Sequence, residues 1–350
     1  MGIDLTGGLS QRREHFFAER PDNPEMRDSA SFWIFDDKGE IAIPRTGIEA
    51  LARQWDNHDI QLNVSFADGR VFRLREPGKA HSPFDAQGRA RVLGAGPLEF
   101  QCIEPYATWT VTYDGEADAT SVSRLISADG EFLRTHLEFR VETSMAVPPW
   151  EQGTLSADAR EKLENTDQGD LMGRGERIEQ LFRHTGWLKV DGEEHTWSGS
   201  GLRIKRQGTR QLGGFWGHAW QSAVFPSGKA FGYIAYPPRT ADEEPYNEGF
   251  IYSPGDAALT PARVVSAPWL RELIERDEDV SLVLETEDGQ QVSVKGSTYA
   301  PTHDRFPRAE YPNFPVLFQG GVRYEWDGEV SHGMLERSSM RDLIVWPSAG

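Results

Sequence analysis

Six Asp-Gly pairs punctuate this sequence, at Asp68-Gly69, Asp114-Gly115, Asp129-Gly130, Asp191-Gly192, Asp288-Gly289 and Asp327-Gly328. The dipeptide tolerates the positive φ values that two-residue hairpin turns demand, and strand-like runs flank most of the six. Leu133, Thr135, Leu137, Phe139 and Val141 alternate with Arg134, His136, Glu138 and Arg140, a period of two that buries one face and wets the other. Similar alternation over residues 64–74, 109–113, 187–197, 280–294 and 322–326 predicts hairpin after hairpin, and so a mostly β, antiparallel meander. Helical signals are few: Ser156 is placed to cap a polar helix over 157–165, and Ser266 a short amphipathic one through Pro268, Leu270, Leu273 and Ile274. The polar stretch 151–175 lacks hydrophobic periodicity and marks the expected boundary between two β-rich halves, residues 1–165 and 166–350. Asp-Gly-Glu recurs at 114–116, 191–193 and 327–329, which any β meander can show and which establishes no repeat.

Charge narrows the partners. Lys plus Arg total 37 against 55 Asp plus Glu, a formal net charge of -18 over 350 residues. Such a surface repels phosphate backbones and anionic headgroups at long range, so nucleic acid is a poor partner, and solubility is the simplest use of the charge. Cys102 is the single cysteine, which rules out an internal disulfide and a cysteine-based zinc site within one chain and fits a reducing compartment. Residues 1–19 mix charges and glycines without an apolar core, and no later stretch approaches the ~20 apolar residues of a membrane span. The expectation is a cytoplasmic protein; a homo-oligomer stays open.

Several chemical motifs are missing. Gly94-Ala95-Gly96 runs into Pro97 without the third glycine and helix that a dinucleotide site uses. Ser198-Gly199-Ser200-Gly201 lacks the glycine spacing of a nucleophile elbow. The nine histidines, at 15, 58, 81, 136, 184, 195, 218, 303 and 332, include no pair at the close spacings by which one element presents two metal ligands. No cofactor or metal is expected, although distant strands can always compose a site. His136 falls on the wet face of its strand; His218, lodged between aromatics, is the histidine to watch, with a core histidine bonded to backbone as its bland alternative.

Eleven tryptophans are many for an acidic chain, and Trp187, Trp197, Trp216 and Trp220 gather in the second half with Phe215 and Phe225. Inward rings in a wide barrel either fill the volume or line a cavity for an apolar ligand. The order of motifs resembles one superfamily over nearly the whole chain. His15, Asn23-Pro24, the strand Ser31-Phe32-Trp33-Ile34-Phe35 and the turn Arg45-Thr46-Gly47 come first, then the hairpin 64–74 and the pair of strands from Leu98 to Trp109. Ile178-Glu179-Gln180, the hairpin from Gly186 to Gly192, and Trp220, Phe225 and Gly228 follow in register. These resemble the tandem lipocalin-like proteins that include carotenoid 1,2-hydratase (hydroxyneurosporene synthase-like). One departure stands out. Relatives often carry Arg-Asp-His-Ser-Trp-Gly where this chain reads Arg203-Ile204-Lys205-Arg206-Gln207-Gly208, so a carboxylate and an imidazole are missing there.

The resemblance implies two lipocalin-like antiparallel barrels or cupped sheets packed side by side, with a hydrophobic ligand site in one unit or where they meet. Relatives hydrate, cyclise or rearrange isoprenoid-like substrates, and lipocalin-type cups elsewhere merely carry ligands. The leading expectation is a cofactor-independent hydratase, dehydratase or isomerase (a hydro-lyase or isomerase) for a terpenoid, steroid or apolar aromatic. The rival is a non-catalytic carrier. A carboxylic acid kept protonated by burial can protonate an alkene or a leaving hydroxyl, and aromatic faces can stabilise the resulting cation. Glu179 is the first candidate acid, with Gln180 or His184 to orient water; a salt bridge, for instance to Arg203, is its structural alternative. Glu104 with Tyr106, leading to Trp109, forms a second candidate pair. Trp216, His218 and Trp220 are the expected pocket wall.

Overall fold

The computed structural model describes residues 4–128, 132–165, 173–240, 242–305 and 312–346. Alternating burial along the strands builds two closed antiparallel sheets. The first takes β1 (Arg27–Asp36), β2 (Ile41–Leu51), β3 (Asn57–Phe66) and β4 (Arg70–Lys79) in order. A side hairpin of β5 (Val92–Ala95) and β6 (Leu98–Glu104) follows, then β7 (Thr108–Ser121), β8 (Leu133–Met145) and a two-residue β9 (Trp150–Glu151). β10 (Arg174–Val190) and β11 (Glu193–Thr209) complete the ring. Residues Arg70–Arg73 of β4 pair with Asp118–Ser121 of β7, and β11 returns to β1 from Arg27↔Gly208 to Asp36↔Gly199, so eight strands enclose the interior.

The second barrel runs through β12 (Gly217–Val224), β13 (Ala230–Ala235), β14 (Asn247–Tyr252) and β15 (Thr260–Val264). It continues through β16 (Leu282–Thr286), β17 (Gln291–Asp304), β18 (Val316–Trp326) and β19 (Glu329–Ser339), which pairs back onto β12. The expected pair of lipocalin-like units is the fold. Their division differs from the expected one, because β10 and β11 belong to the first barrel. The sheets part between Thr209 and Gly217, not at 165/166; the described part of the polar stretch, up to residue 165, lacks strand periodicity because it is mainly loop and a short helix.

Four Asp-Gly pairs turn hairpins. Asp191-Gly192 and Asp327-Gly328 place both residues at positive φ, 53° and 79° in one and 48° and 77° in the other, as a two-residue turn of this hand requires. Asp114-Gly115 does not turn: β7 runs straight through it to reach β4, and Asp114 N–H bonds Pro97 O. Asp129-Gly130 lies outside the described residues. Helix α2 (Ala157–Asn165) forms as read, with Ser156 Oγ accepting from Ala159 N–H. The helix expected after Ser266 is absent. That segment stays extended, with Leu270 and Leu273 in the second core and Arg271 O taken by Val345 N–H. A short α1 (Val122–Ser127), capped by Ser121, was not foreseen.

Three apolar clusters result. Phe32, Ile34, Leu62, Phe100, Val111, Phe139 and Phe182 fill the first barrel; Phe231, Tyr233, Leu284, Phe318, Val322 and Leu335 fill the second. The third joins outward faces of both, with Trp33, Phe35, Leu181 and Leu202 against Trp220, Ile234, Tyr236 and Phe250. Polar ties cross the same seam, including Asn63 Nδ2 to Gln319 Oε1 at 2.9 Å and Ser200 Oγ to His332 O at 2.8 Å. Among the described residues no helix is long and apolar enough to cross a membrane.

Candidate functional site

Strand alternation divides the expected site residues between two places. Along β10, Gln180, Phe182 and His184 point into the first barrel, whereas Glu179 and Leu181 point outward into the seam. Gln180 and His184 therefore orient no water for Glu179; adjacent residues of a strand face opposite sides of the sheet.

Inside the first barrel, Gln180 sits opposite Arg203 in register. Arg203 Nη2 donates to Gln180 Oε1 at 2.6 Å and pairs with Glu14 Oε2 at 2.9 Å. Glu14 also accepts from Trp109 Nε1 at 3.2 Å and from Tyr106 N–H at 3.4 Å, and the Arg203 guanidinium lies 5.0 Å from the Trp109 ring centre. Tyr106, held at φ 57°, donates its hydroxyl to Ser10 O. Arg203, Gln180, Trp109 and Tyr106 thus meet around Glu14, which the sequence reading missed because nothing in the polar N-terminal run distinguishes it. Nearby, Asp28 accepts from Phe17 N–H and Gln207 Nε2 and faces Lys205 Nζ at 3.9 Å. Burial pushes the Asp28 carboxyl up and the Lys205 ammonium down.

This network reads as structural. Removing one partner of a buried pair typically costs ~3–5 kcal/mol, and its members are enclosed by rings: Phe16 and Phe32 each lie 5.9 Å from Trp109, and Phe32 lies 5.0 Å from Phe100. Trp109 fills core here. His184 donates to or accepts from Phe35 O at 3.0 Å beside Trp197, and burial lowers it to about 4. Glu104 is exposed at the end of β6, which removes it as a buried acid.

The seam collects the other candidates. Glu179 is buried and paired through Oε1 with Arg177, not Arg203, and its Oε2 has no hydrogen bond from any described group. Burial drives its pKa up, and Arg177 and Arg206 oppose without prevailing. The Arg177 guanidinium lies 5.3 Å from the Trp220 ring centre, and Trp220 meets Trp33 edge-on at 4.9 Å. Two residues back along β12, His218 shares that face. Its Nδ1 is 2.7 Å from Ser338 Oγ and its Nε2 3.3 Å from Glu336 Oε1, with the Phe215 ring at 5.6 Å. Burial works to raise Glu336, but Arg45, His218 and Gln319 outweigh it and hold the carboxyl at about 2. Trp216 stands half-buried beside Tyr236, ring centres 5.7 Å apart, and donates Nε1 to Pro237 O.

A second acid approaches from β14. Glu248 accepts from Gly153 N–H at 2.6 Å, Leu155 N–H at 2.9 Å and the Tyr246 hydroxyl at 2.7 Å. Burial still raises its carboxyl, but its lone pairs are occupied and its task is to pin the 153–155 loop. Arg177, Glu336 and Tyr236 were not singled out from the sequence, and Trp33 entered it only within a strand motif; outward polar residues on a strand look solvated until a second barrel covers them.

A separate recess of about 510 Å³ opens on the outer face of β7, β8 and β10. Thr108, Thr110, Ser144, Arg140 and Glu142 line it, and Trp109 and His184 reach its wall. Glu142 is exposed and tied to Arg140 at 3.0 Å, so this recess offers no buried acid. Among the described residues no three His, Cys, Asp or Glu side chains group to hold a metal.

Two eight-stranded meanders packed face to face, with acids and rings trapped between them, define a protein of tandem lipocalin-like fold. More narrowly, the chain belongs to the family described as Domain of unknown function (DUF7064), which matches residues 12–341. A search of the curated proteins finds no match. Among solved structures the chain is similar to CghA with Sch210972, at 11% identity over 91% of this chain and 89% of that one, TM-score 0.53. It is similar to a putative ATTH (NE1406) from Nitrosomonas europaea, at 13% identity over 92% and 97%, TM-score 0.53. Kievitone hydratase from Nectria haematococca aligns at 10% identity over 96% of each chain, TM-score 0.47. At these identities the first two likenesses establish the fold.

Proposed function

We propose that this protein is a cofactor-independent hydratase, dehydratase or isomerase for a hydrophobic small molecule, working at the seam between its barrels with Glu179 as the proton donor. One observation carries the reading: Glu179 is a buried carboxyl on the seam face of its strand, near the cluster of Trp220, Trp33 and Tyr236, with Oε1 held by Arg177 and Oε2 without a hydrogen bond from a described group. Burial favours its neutral form, which is the form that gives a proton to an alkene or a departing hydroxyl. Ring faces offer the cation its counterpart. His218, oriented by Ser338 and Glu336, takes a proton from the water that adds to the cation, or from carbon when the outcome is a shifted double bond. One proton is given and one taken in either case. That CghA, a protein of this fold, has a crystal structure with Sch210972 supports a ligand-binding use of the fold.

The departure at 203–208 favours a second reading. Ile204 packs in the seam and Lys205 faces Asp28 inside the barrel, where relatives often carry an Asp and a His, and a carrier needs neither. Native mass spectrometry against terpenoids, steroids and apolar aromatics, with product analysis, separates the two. We expect conversion of a panel member, with kcat falling by roughly 10²–10⁴ in Glu179→Gln while binding persists. Its rate should also drop as pH rises through the Glu179 pKa. Tight binding without conversion would establish the carrier instead.

A further inference from the structure

Pairing of β10 with β11 sets Arg177 directly opposite Arg206 on the outward face. Like charges facing across a strand pair destabilise a sheet, and Arg210 adds a third guanidinium close by. Arg177 is answered by Glu179. Arg206 is half-buried and has no hydrogen bond or ion pair with a described residue. The acids among its electrostatic neighbours, Glu49 and Glu179, are already paired with Arg27 and Arg177. Burial, then Arg210 and Arg177, press the Arg206 guanidinium well below its ordinary pKa. A guanidinium keeps its proton in proteins, so that pressure is positive charge left uncompensated, in a chain whose net charge is -18.

We infer that the seam binds an oxyanion (carboxylate, phosphate or sulfonate) carried by an otherwise apolar ligand, and that Arg206 anchors it. A planar guanidinium fork matches such a group bidentately. The apolar body has rings to lie against: Tyr236 and Trp216 stand beside Phe215, and Arg210 lies 5.7 Å from the Phe215 ring centre. The inference rests on the seam being the substrate site and narrows that substrate to amphipathic anions.

A matched pair of fluorescent probes tests it without requiring turnover. 8-Anilinonaphthalene-1-sulfonate and N-phenyl-1-naphthylamine share one ring framework and differ by the sulfonate. We expect the folded full chain to bind the sulfonate at least about tenfold more tightly at low salt. Arg206→Gln should abolish that preference, and Arg263→Gln, on the far side of the second barrel, should leave it intact. Thermal unfolding supplies the second measurement: with its repulsion removed, Arg206→Gln should melt at or above the parent temperature. Equal affinity for the two probes, a preference that survives Arg206→Gln, or a marked fall in melting temperature would each overturn the inference. Sulfonate preference in a protein that converts nothing would leave the anion site standing and remove the acid-base reading; conversion of uncharged substrates only would do the reverse.

Discussion

Burial holds His184 and His303 at about 4, His184 bonded to Phe35 O and His303 to Ile274 O. Unfolded, each titrates near 6.5. Below that pH the unfolded chain takes up protons that the folded one refuses, so stability is full above about 6.5, falls as pH drops, and levels off below about 4. Urea unfolding at pH 7.5 and pH 5 should differ by about 2 kcal/mol per histidine, taking ~1.4 kcal/mol per pH unit. His303→Asn should shrink the difference, and a stability independent of pH across this window would refute the account. Residue by residue, the sequence pointed to His218 and Glu179, and the structure buries both at the seam. The sequence concealed the partners of His218, because Glu336 and Ser338 come from a strand more than a hundred residues further along the chain, whereas Arg177 sits two residues from Glu179 on the same strand. The split between Glu179 and Gln180 was legible in the period of two, and was lost by treating Glu-Gln as one motif.

Among the elements, β11 is the most tightly seated. A side chain at Gly201 would bring its Cβ to 2.2 Å from Trp33 O and 2.5 Å from the Phe182 ring, so only hydrogen fits there. Gly201→Val should destabilise by roughly 1–3 kcal/mol or more through overpacking, measured as a lower urea midpoint, whereas the same change at exposed Gly213, where nothing lies within 4 Å, should cost little. Strands and hairpins were the legible elements, since alternation and turn chemistry are local. The missing helix after Ser266 was not legible: Glu272 bridges Val345, a partner supplied by the far end of the chain. Nor was the straight passage of β7 through Asp114-Gly115, which its pairing with both β6 and β4 dictates.

For the whole molecule, the sheets assign residues through Thr209 to the first barrel. Co-expressed fragments 1–213 and 214–350, cut between the exposed Gly213 and Gly214, should assemble into a one-to-one complex on gel filtration, held by the apolar seam. Fragments 1–165 and 166–350 should not, because the first would lack both closing strands; a stable, cooperatively folded 1–165 would contradict the assignment. Two meanders side by side could be read from the sequence, but their seam could not, since nothing local tells an outward tryptophan from an inward one. Closure of each ring joins its earliest strand to its latest, β1 to β11 and β12 to β19. Non-local pairing of this kind slows folding, as loop entropy is lost before contacts repay it. On the ribosome, the first ring must therefore wait, open-edged, until β11 emerges, and the interval before its synthesis is when this chain is most exposed to misassociation.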